Sequence, residues 1–597
     1  MDVRLMAHGW VRHRSVAVRG VAFDDARRLE ARDVADRFGR AVTGVSGDPE
    51  AKLDAVADCA ASLEGFFGAV IETAGETILV ADQARSIPLW FDVEGSVCSD
   101  RGRLLREAID APRDPITERE FHCTRYVTGG ETIWAGVGAV APGEVVAVSD
   151  DGVRRQEYWA YWPDDDHGGP GIDDRDDQPT DPVLERLRNG LETALDRLEA
   201  VAGERPIVLP LSGGYDSRLL AAALVERERE VIAFTFGRSG HPDVEVSREI
   251  ASNLGIRWEF VPYSRDDWRA WYHGDACRTY REWAFGGDGL PFLAAWPAVR
   301  ALLEAGRLPE DGLYCPGHTV ATPSERLPRF RATDAAEGPT GNAGRPAIGC
   351  GPAVDAEDTD DQDTIAATLD ALVEYVLERH YTLWDWQDES FTAHARRRIR
   401  RGLCGSRAPL TLTNLTALAA AYEHWEWRGR MSTFTNGDLR GYEDAGLAWW
   451  LPLWDPAYVR AWETVPYARR RGKRLHAELA VDTYQRVADV SRARAAVTDR
   501  RLEPVDRLLS LVRHTPERQF TERGGDWEPP FLAPRSAWRI RGQHPLAWDG
   551  IVEDALWDAF PDRNVYAYRT LAETGYLDLL HSVRTPAGTT LEAVIDD

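Results

Sequence analysis

Ser212-Gly213-Gly214-Tyr215-Asp216-Ser217 lies between an apolar strand-like run, Ile207 to Leu211, and a helix-like run that continues to Leu224. The residue types of this hexapeptide suit an anion. Adjacent glycines let the backbone turn tightly and bring N–H groups close to a negative charge. The helix that follows opens with N–H donors that have no intrahelical acceptor. Asp216 offers a hard oxygen to a Mg²⁺ that bridges phosphates, and Ser212 and Ser217 offer hydroxyl donors. The chemistry implied is the holding of a nucleoside triphosphate, ATP. The loop is not of the GxxxxGK[ST] kind, since no lysine follows, and it lacks the GxGxxG spacing of dinucleotide sites. An ordinary strand, glycine turn and helix is the competing reading, and it leaves most of the loop's residue types unexplained.

The elements that must position this loop are legible on both sides. Pro182 to Gly203 reads as an amphipathic helix, Glu230 to Phe236 as a second strand, and Asp243 to Ile256 as a helix closed by Gly255. Trp258 to Val261 reads as a third strand. Strands alternating with helices predict a parallel sheet with crossover helices, whose ligands sit at the carboxyl ends of the strands. Residues 1–160 read instead as mostly short strands, among them SLEGFFGAVIE, GETILVADQ and GEVVAVSD. Residues 161–182 are charged and rich in Gly and Pro, and read as an acidic linker. The segment 183–500 follows as a second domain, with a mobile surface insertion expected over 330–363, where large apolar side chains are scarce. The remaining 501–597 form an extension with no pattern that converts to chemistry.

Composition narrows the setting. A chain of 597 residues is too long for one core and predicts two or three domains. The formal charge is −27, and Lys52 and Lys473 are the only lysines. An acidic, lysine-poor surface suits a salt-rich, halophilic cytoplasm; a GC-rich genome explains arginine for lysine but not the acidic excess. The charge disfavours nucleic acid as the main partner. The run Arg396, Arg397, Arg398, Arg400 and Arg401 reads as a solvated helix face or a local anion contact. The seven cysteines form no close pair, which argues against a zinc ribbon or a disulfide scaffold. No His cluster suggests a transition metal. No apolar run reaches the ~18 residues of a membrane span, and no signal-peptide pattern opens the chain. A soluble, cytoplasmic protein without a membrane partner is expected, with its oligomeric state open.

Several motifs occur in a consistent order. SGGYDS is followed by FTFGRSGHPDVEVSREIASNLGI, and later by WEWRGRMSTFTNGDLRGYEDAGLAWWLPLWDPAYV. Upstream lie LEGFFGAVIE, LVADQARSIPLWF, and a run from YVTGGETIW to a terminal Tyr-Trp. Over roughly residues 55–490 the chain resembles asparagine synthetase and its relatives, including β-lactam synthetase. The resemblance implies an α+β, Ntn-hydrolase-like N-terminal sandwich. It is joined to an α/β adenine-nucleotide alpha-hydrolase-like synthetase domain of the PP-loop ATP pyrophosphatase kind, with a helical C-terminal part. It implies ATP and Mg²⁺ as cofactors, with Leu211, Ser212, Gly213, Gly214, Asp216, Ser217, Phe236 and Gly317 binding nucleotide.

Departures from the family pattern matter as much. The family's glutaminase uses an N-terminal cysteine as nucleophile, and this chain has Asp2, a carboxylate that cannot form a thioester. The family's glutamine-binding RGPD and NGEIYN segments are missing too. The N-terminal domain therefore reads as a retained scaffold without glutaminase activity, which braces the synthetase domain or shapes its acceptor pocket. At Gly317-His318 the chain matches the start of the family's GHxGD element, but the acidic position falls near Ala321. Glu325 is a candidate replacement as a second metal ligand beside Asp216. His318 is a candidate pyrophosphate contact, and a turn-capping or packing histidine is an equal reading.

The resemblance implies attack of a carboxylate oxygen on the α-phosphorus of ATP, giving an acyl-adenylate and pyrophosphate. Ammonia or an amine then displaces AMP. Lys473, a lysine where arginine is the default, is a candidate for steadying the developing charge, against the alternative of a surface lysine. Glu443 could position the amine or act as base, or pair with Arg430; Asp455 reads as a structural cap after Leu451-Pro452-Leu453-Trp454. The first expectation is an AMP-forming amide ligase joining a small carboxylate to ammonia or an amine, with an ammonia-delivering protein as a possible partner. The alternatives are a non-catalytic nucleotide-binding partner and an enzyme that adenylates a nucleic-acid base.

Overall fold

Alternation along the N-terminal strands builds a sheet with two different faces. The computed structural model describes residues 1–45, 48–163, 181–331, 364–386, 388–407, 412–498, 546–552, 565–576 and 591. Its N-terminal sheet contains β1 (Val11–His13), β2 (Val16–Asp24), β3 (Glu64–Thr73), β4 (Glu76–Ala81), β5 (Glu144–Ser149) and β6 (Gly152–Glu157). They pair antiparallel in the order β6-β5-β4-β3-β2-β1, and Arg27–Leu29 adds to β2. Val16 and Val18 point to one core and Ala17 to another, as the two-residue period requires. The first core is covered by α1 (Ala31–Thr43) and α2 (Pro49–Ala61). The second is shared with Phe91 and Cys98 of a stacked four-stranded sheet made of Asp2–Arg4, Val97–Ser99, Trp90–Asp92 and Val137–Ala139. The strand-dominated expectation for this region omits α1 and α2. Val34, Ala35 and Phe38 do carry a helical apolar stripe in α1.

The expected linker starts too early. Tyr161 is fully buried and the Trp162 N–H donates to Glu463, so the chain is still packed there. Residues 164–180 lie outside the described residues. Asp181 caps α3 (Pro182–Ala202) by accepting from the amides of Val183 and Leu184.

The second unit is a five-stranded parallel sheet, as alternation predicts. β7 (Ile207–Pro210) leads through the SGG loop to α4 (Tyr215–Glu226) and β8 (Val231–Gly237); α5 (Pro242–Leu254) leads to β9 (Arg257–Pro262). Gly255 ends α5 at φ +66°, the left-handed conformation that glycine adopts without strain. β10 (Leu313–Tyr314) then pairs beside β7. Further along come α6 (Leu415–Glu426), a π-helical stretch Trp427–Thr435, α7 (Leu439–Asp444) and β11 (Ala448–Trp449). The order is β9-β8-β7-β10-β11. α8 (Pro456–Glu463) and α9 (Arg474–Ala488) complete the part that faces the loop. Most of the expected insertion, residues 332–363, lies outside the described residues, and its flanks Arg329–Arg331 and Thr364–Ala366 pair in parallel.

The two units share one continuous core. Phe23, Phe66 and Trp90 pack with residues of the parallel unit. The turn 82–86 grips the helices that follow α6. Gln83 O accepts from Trp427 Nε1 at 2.7 Å, Ala84 O from Asn436 Nδ2 at 2.8 Å, and Ser86 O from Arg440 Nη2 at 2.7 Å. Arg85 pairs with Asp288 at 2.5 Å.

Candidate active site

The loop begins where β7 ends. Leu211 N–H donates to Phe234 O at 2.8 Å, and Thr235 Oγ1 donates to Leu211 O at 2.7 Å. The loop then folds onto itself. Ser212 N donates to Ser217 Oγ at 3.1 Å, Gly214 N to Ser212 Oγ at 3.2 Å, and Gly213 N to Asp243 Oδ1 at 2.8 Å. Each of these three amides, expected to approach a phosphate, has an internal acceptor here. The donors that remain are the opening amides of α4, at Tyr215, Asp216 and Ser217. Close approach, not a left-handed turn, explains Gly213: an added Cβ would come within 2.7 Å of Asp243 Oδ1 and 2.9 Å of Thr498 O.

Arg218 braces the loop from below. It is fully buried, and Nη2 donates to Gly213 O at 2.7 Å and to Val497 O at 2.6 Å, while Nη1 donates to Ala495 O. Tyr215 Oη donates to Ala496 O at 3.0 Å. Sequence reasoning missed this clamp, although a lone arginine opening the apolar run Leu219–Leu224 was its signal.

Three distant segments meet at Asp216. Lys473 Nζ lies 3.0 Å from Asp216 Oδ2 and 3.6 Å from Glu325 Oε2. His476 Nε2 lies 2.8 Å from Asp216 Oδ1, out of hydrogen-bond alignment, while its Nδ1 meets Tyr458 Oη at 2.7 Å. Burial raises the Asp216 carboxyl, but His476 and Lys473 more than offset it and hold the group at about 2. Lys473 is only 16% exposed, so it is not a surface lysine. Gly472 and Lys473 both take positive φ, +67° and +58°, before α9 begins. For Lys473 that conformation costs on the order of 1 kcal/mol, and it places the ammonium between two carboxylates. His476 escaped the sequence reading because nothing local sets it apart from a core histidine.

Gly317 and His318 follow β10 to the same place. A Cβ on Gly317 would lie 3.0 Å from Ser217 N, so the two backbones touch at the start of α4. His318 Nε2 lies 3.6 Å from Asp438 Oδ2. Burial lowers the His318 imidazole to about 4, against the opposing pull of Asp216. Phe236, at the end of β8, stacks on Tyr263 with ring centroids 5.5 Å apart. Glu443 goes elsewhere: its partners are Arg19 at 2.5 Å, Arg440 at 2.9 Å and Trp449 Nε1 at 3.2 Å. It ties β2 to α7, and Arg430 pairs with Glu426 instead. Asp455 caps α8 by accepting from Ala457 N and meets Arg197 at 2.8 Å.

Residues 186–295, which hold the loop and the first three strands of the parallel sheet, match the asparagine synthase family model. This segment is similar to an asparagine synthase domain. No curated protein sequence matches the chain. Among solved structures it is similar to the NH3-dependent NAD synthetase from Campylobacter jejuni subsp. jejuni NCTC 11168 in complex with the nitrate ion. That match has 15% identity and a TM-score of 0.18, covering 24% of this chain and 59% of that one. It is also similar to the allosteric regulatory enzyme of purine biosynthesis, with 12% identity and a TM-score of 0.18, covering 42% of this chain and 46% of that one. For glutamine phosphoribosylpyrophosphate amidotransferase from B. subtilis, complexed with ADP and GMP, identity is 13% and the TM-score 0.16, covering 42% and 72%. The chain thus spans about three fifths of the NAD synthetase's length. Within residues 186–295, Asp216 and Ser217 are met from outside by Lys473, which also reaches Glu325, by His476 and by Gly317.

Proposed function

We propose that the chain is an ATP-dependent, AMP- and pyrophosphate-forming amide ligase that activates a small-molecule carboxylate for attack by ammonia or an amine. The observation that supports this reading best is the meeting of Asp216, Lys473 and His476 at the carboxyl end of β7. The triphosphate of ATP lies at the opening amides of α4, beside the paired hydroxyls of Ser212 and Ser217. Lys473 offers its charge where negative charge builds on the departing pyrophosphate. Among the described residues no three His, Cys, Asp or Glu side chains converge as a metal centre. Asp216 and Glu325 nevertheless suit Mg²⁺, which takes one or two carboxylates and completes its shell with phosphate and water. Bound there, it would supply charge neutralisation on the phosphates.

The amine donor is ammonia, free or delivered by a partner protein, or an amine-bearing substrate. Within the N-terminal unit, burial pushes the thiols of Cys59 and Cys98 up to about 11 and about 12, so neither is a ready thiolate for glutamine hydrolysis. The internally bonded loop amides favour one second reading, a partner that binds nucleotide without turning it over.

The test is direct. Purified protein in concentrated KCl with Mg²⁺, ATP and ammonium is incubated with L-aspartate, L-glutamate or glucuronate, and AMP and pyrophosphate are measured by mass spectrometry. Acid-dependent AMP formation is expected. ATP binding with no AMP from any acid would favour the nucleotide-binding partner.

A further inference from the structure

We infer that Asp438 and His318 form the proton-accepting pair that receives the attacking amine: an ammonium group docks on Asp438 and gives up its protons to the pair as its nitrogen attacks the acyl-adenylate. This rests on the ligase reading.

Asp438 is an unusual carboxylate. Other buried acids here have strong partners: Glu423 has Arg470, Glu426 has Arg430, Asp288 has Arg85 and Asp455 has Arg197. Asp82, without an arginine, accepts from the amides of Phe67, Ala84 and Ser86. Asp438 is 7% exposed, and among the described residues its ion-pair partner is His318 alone. Taking a carboxylate out of water without a cation beside it is unfavourable. A cation that arrives with each turnover fits that gap. The other ring nitrogen of His318, Nδ1, is buried with no hydrogen-bond partner.

Position agrees with chemistry. Asp438 ends a short turn that follows the π-helical stretch, and π-helix is frequent at functional sites. Gly317 packs on the Ser217 amide, so His318 stands one residue from the opening of α4. Phe292 lies 6.5 Å from the His318 ring and 5.4 Å from Phe434, an aromatic wall that attracts a cation. The charge of Asp438 is felt by Tyr263, Tyr280 and Tyr442, and that of Asp216 by His318.

The balance closes. An ammonium must lose two protons to become an amide nitrogen. Asp438 takes the first and frees the lone pair. The nitrogen bonds to the acyl carbon, the bond from that carbon to the phosphate oxygen breaks, AMP leaves, and His318 takes the second proton. Burial raises Asp438 to about 7, so it holds a proton more readily than a solvated carboxylate.

Asp438→Asn and His318→Gln separate this role from a structural one. Two reactions are followed with the acid that supports AMP formation: acid-dependent ATP–pyrophosphate exchange, and amide formation from ammonium or from hydroxylamine, which is neutral at pH 7. In Asp438→Asn exchange should persist, amide formation from ammonium should fall about 100-fold at pH 7 and hydroxamate formation should persist, and in His318→Gln amide formation from ammonium should fall as well. Retained ammonium turnover in both variants, or in Asp438→Asn a parallel loss with both nucleophiles or a loss of exchange, overturns the assignment. If the unaltered chain shows no exchange with any of the three acids, the ligase reading fails and this pair with it.

Discussion

Asp216 collects an ammonium, an imidazole and the start of α4 on one carboxylate, so its replacement should be felt in chemistry before stability. Asp216→Asn should lower AMP formation by about 100-fold or more, and titration with Mg²⁺ should not restore it. Lys473→Arg should fail to rescue, falling at least about tenfold, because a planar fork cannot replace a point charge 3.0 Å from Asp216 and 3.6 Å from Glu325; steady-state AMP release measures both. Asp438 gives the opposite stability signature. Its folded pKa of about 7 stands above the ordinary 3.8, so between those values the folded state keeps a proton that the unfolded chain has lost. Stability from this group is therefore present at low pH and lost as pH rises toward 7. Asp438→Asn should stabilise the fold by more than about 1 kcal/mol at pH 8 and by little at pH 4, as read by thermal melts.

Elements carry the rest of the site, and here sequence and structure part company. β7, α4, β8, α5 and β9 were legible because each is long enough for its hydrophobic period to show. β10 and β11 have two residues each, too few for any period. SGGYDS announced itself through residue types that packing does not need, and Lys473 through its rarity. Asp243, Arg218, His476 and Asp438 did not, because each acquires its role from a partner far along the chain. Glu443 was misplaced for the same reason: its partner Arg19 lies in the N-terminal unit. Arg197 shows what such a long-range tie does. From α3 it reaches Glu64, the Asp25 carbonyl and buried Asp455, fixing the N-terminal sheet to the cap of α8. Arg197→Ala strands Asp455 without a cation and should cost about 3–5 kcal/mol, measured by denaturant unfolding.

At the scale of the molecule, the N-terminal unit is a wall of the parallel-sheet unit. The turn 82–86 holds Trp427, Asn436 and Arg440, the stretch that delivers Asp438. Loss of that turn should disturb the acceptor side of the site before the phosphate side. The net charge of −27 acts on everything at once. Self-repulsion opposes compaction and salt screens it, with a Debye length near 10 Å at 0.1 M and about 3 Å at 1 M. The melting temperature should therefore rise steadily as KCl increases from 0.1 M to about 2 M; a flat or falling curve would show that screened ion pairs outweigh the repulsion.

The scarcity of lysine makes the SGG loop chemically addressable. An amine-selective acylating reagent finds two side-chain targets on this chain, Lys52 and Lys473. Lys52 sits on α2, 3.7 Å from Glu76 and away from the loop, so it serves as an internal standard. The ratio of label at the two positions, read by peptide mass spectrometry, becomes an occupancy gauge for ATP that needs neither a known acid nor a turnover.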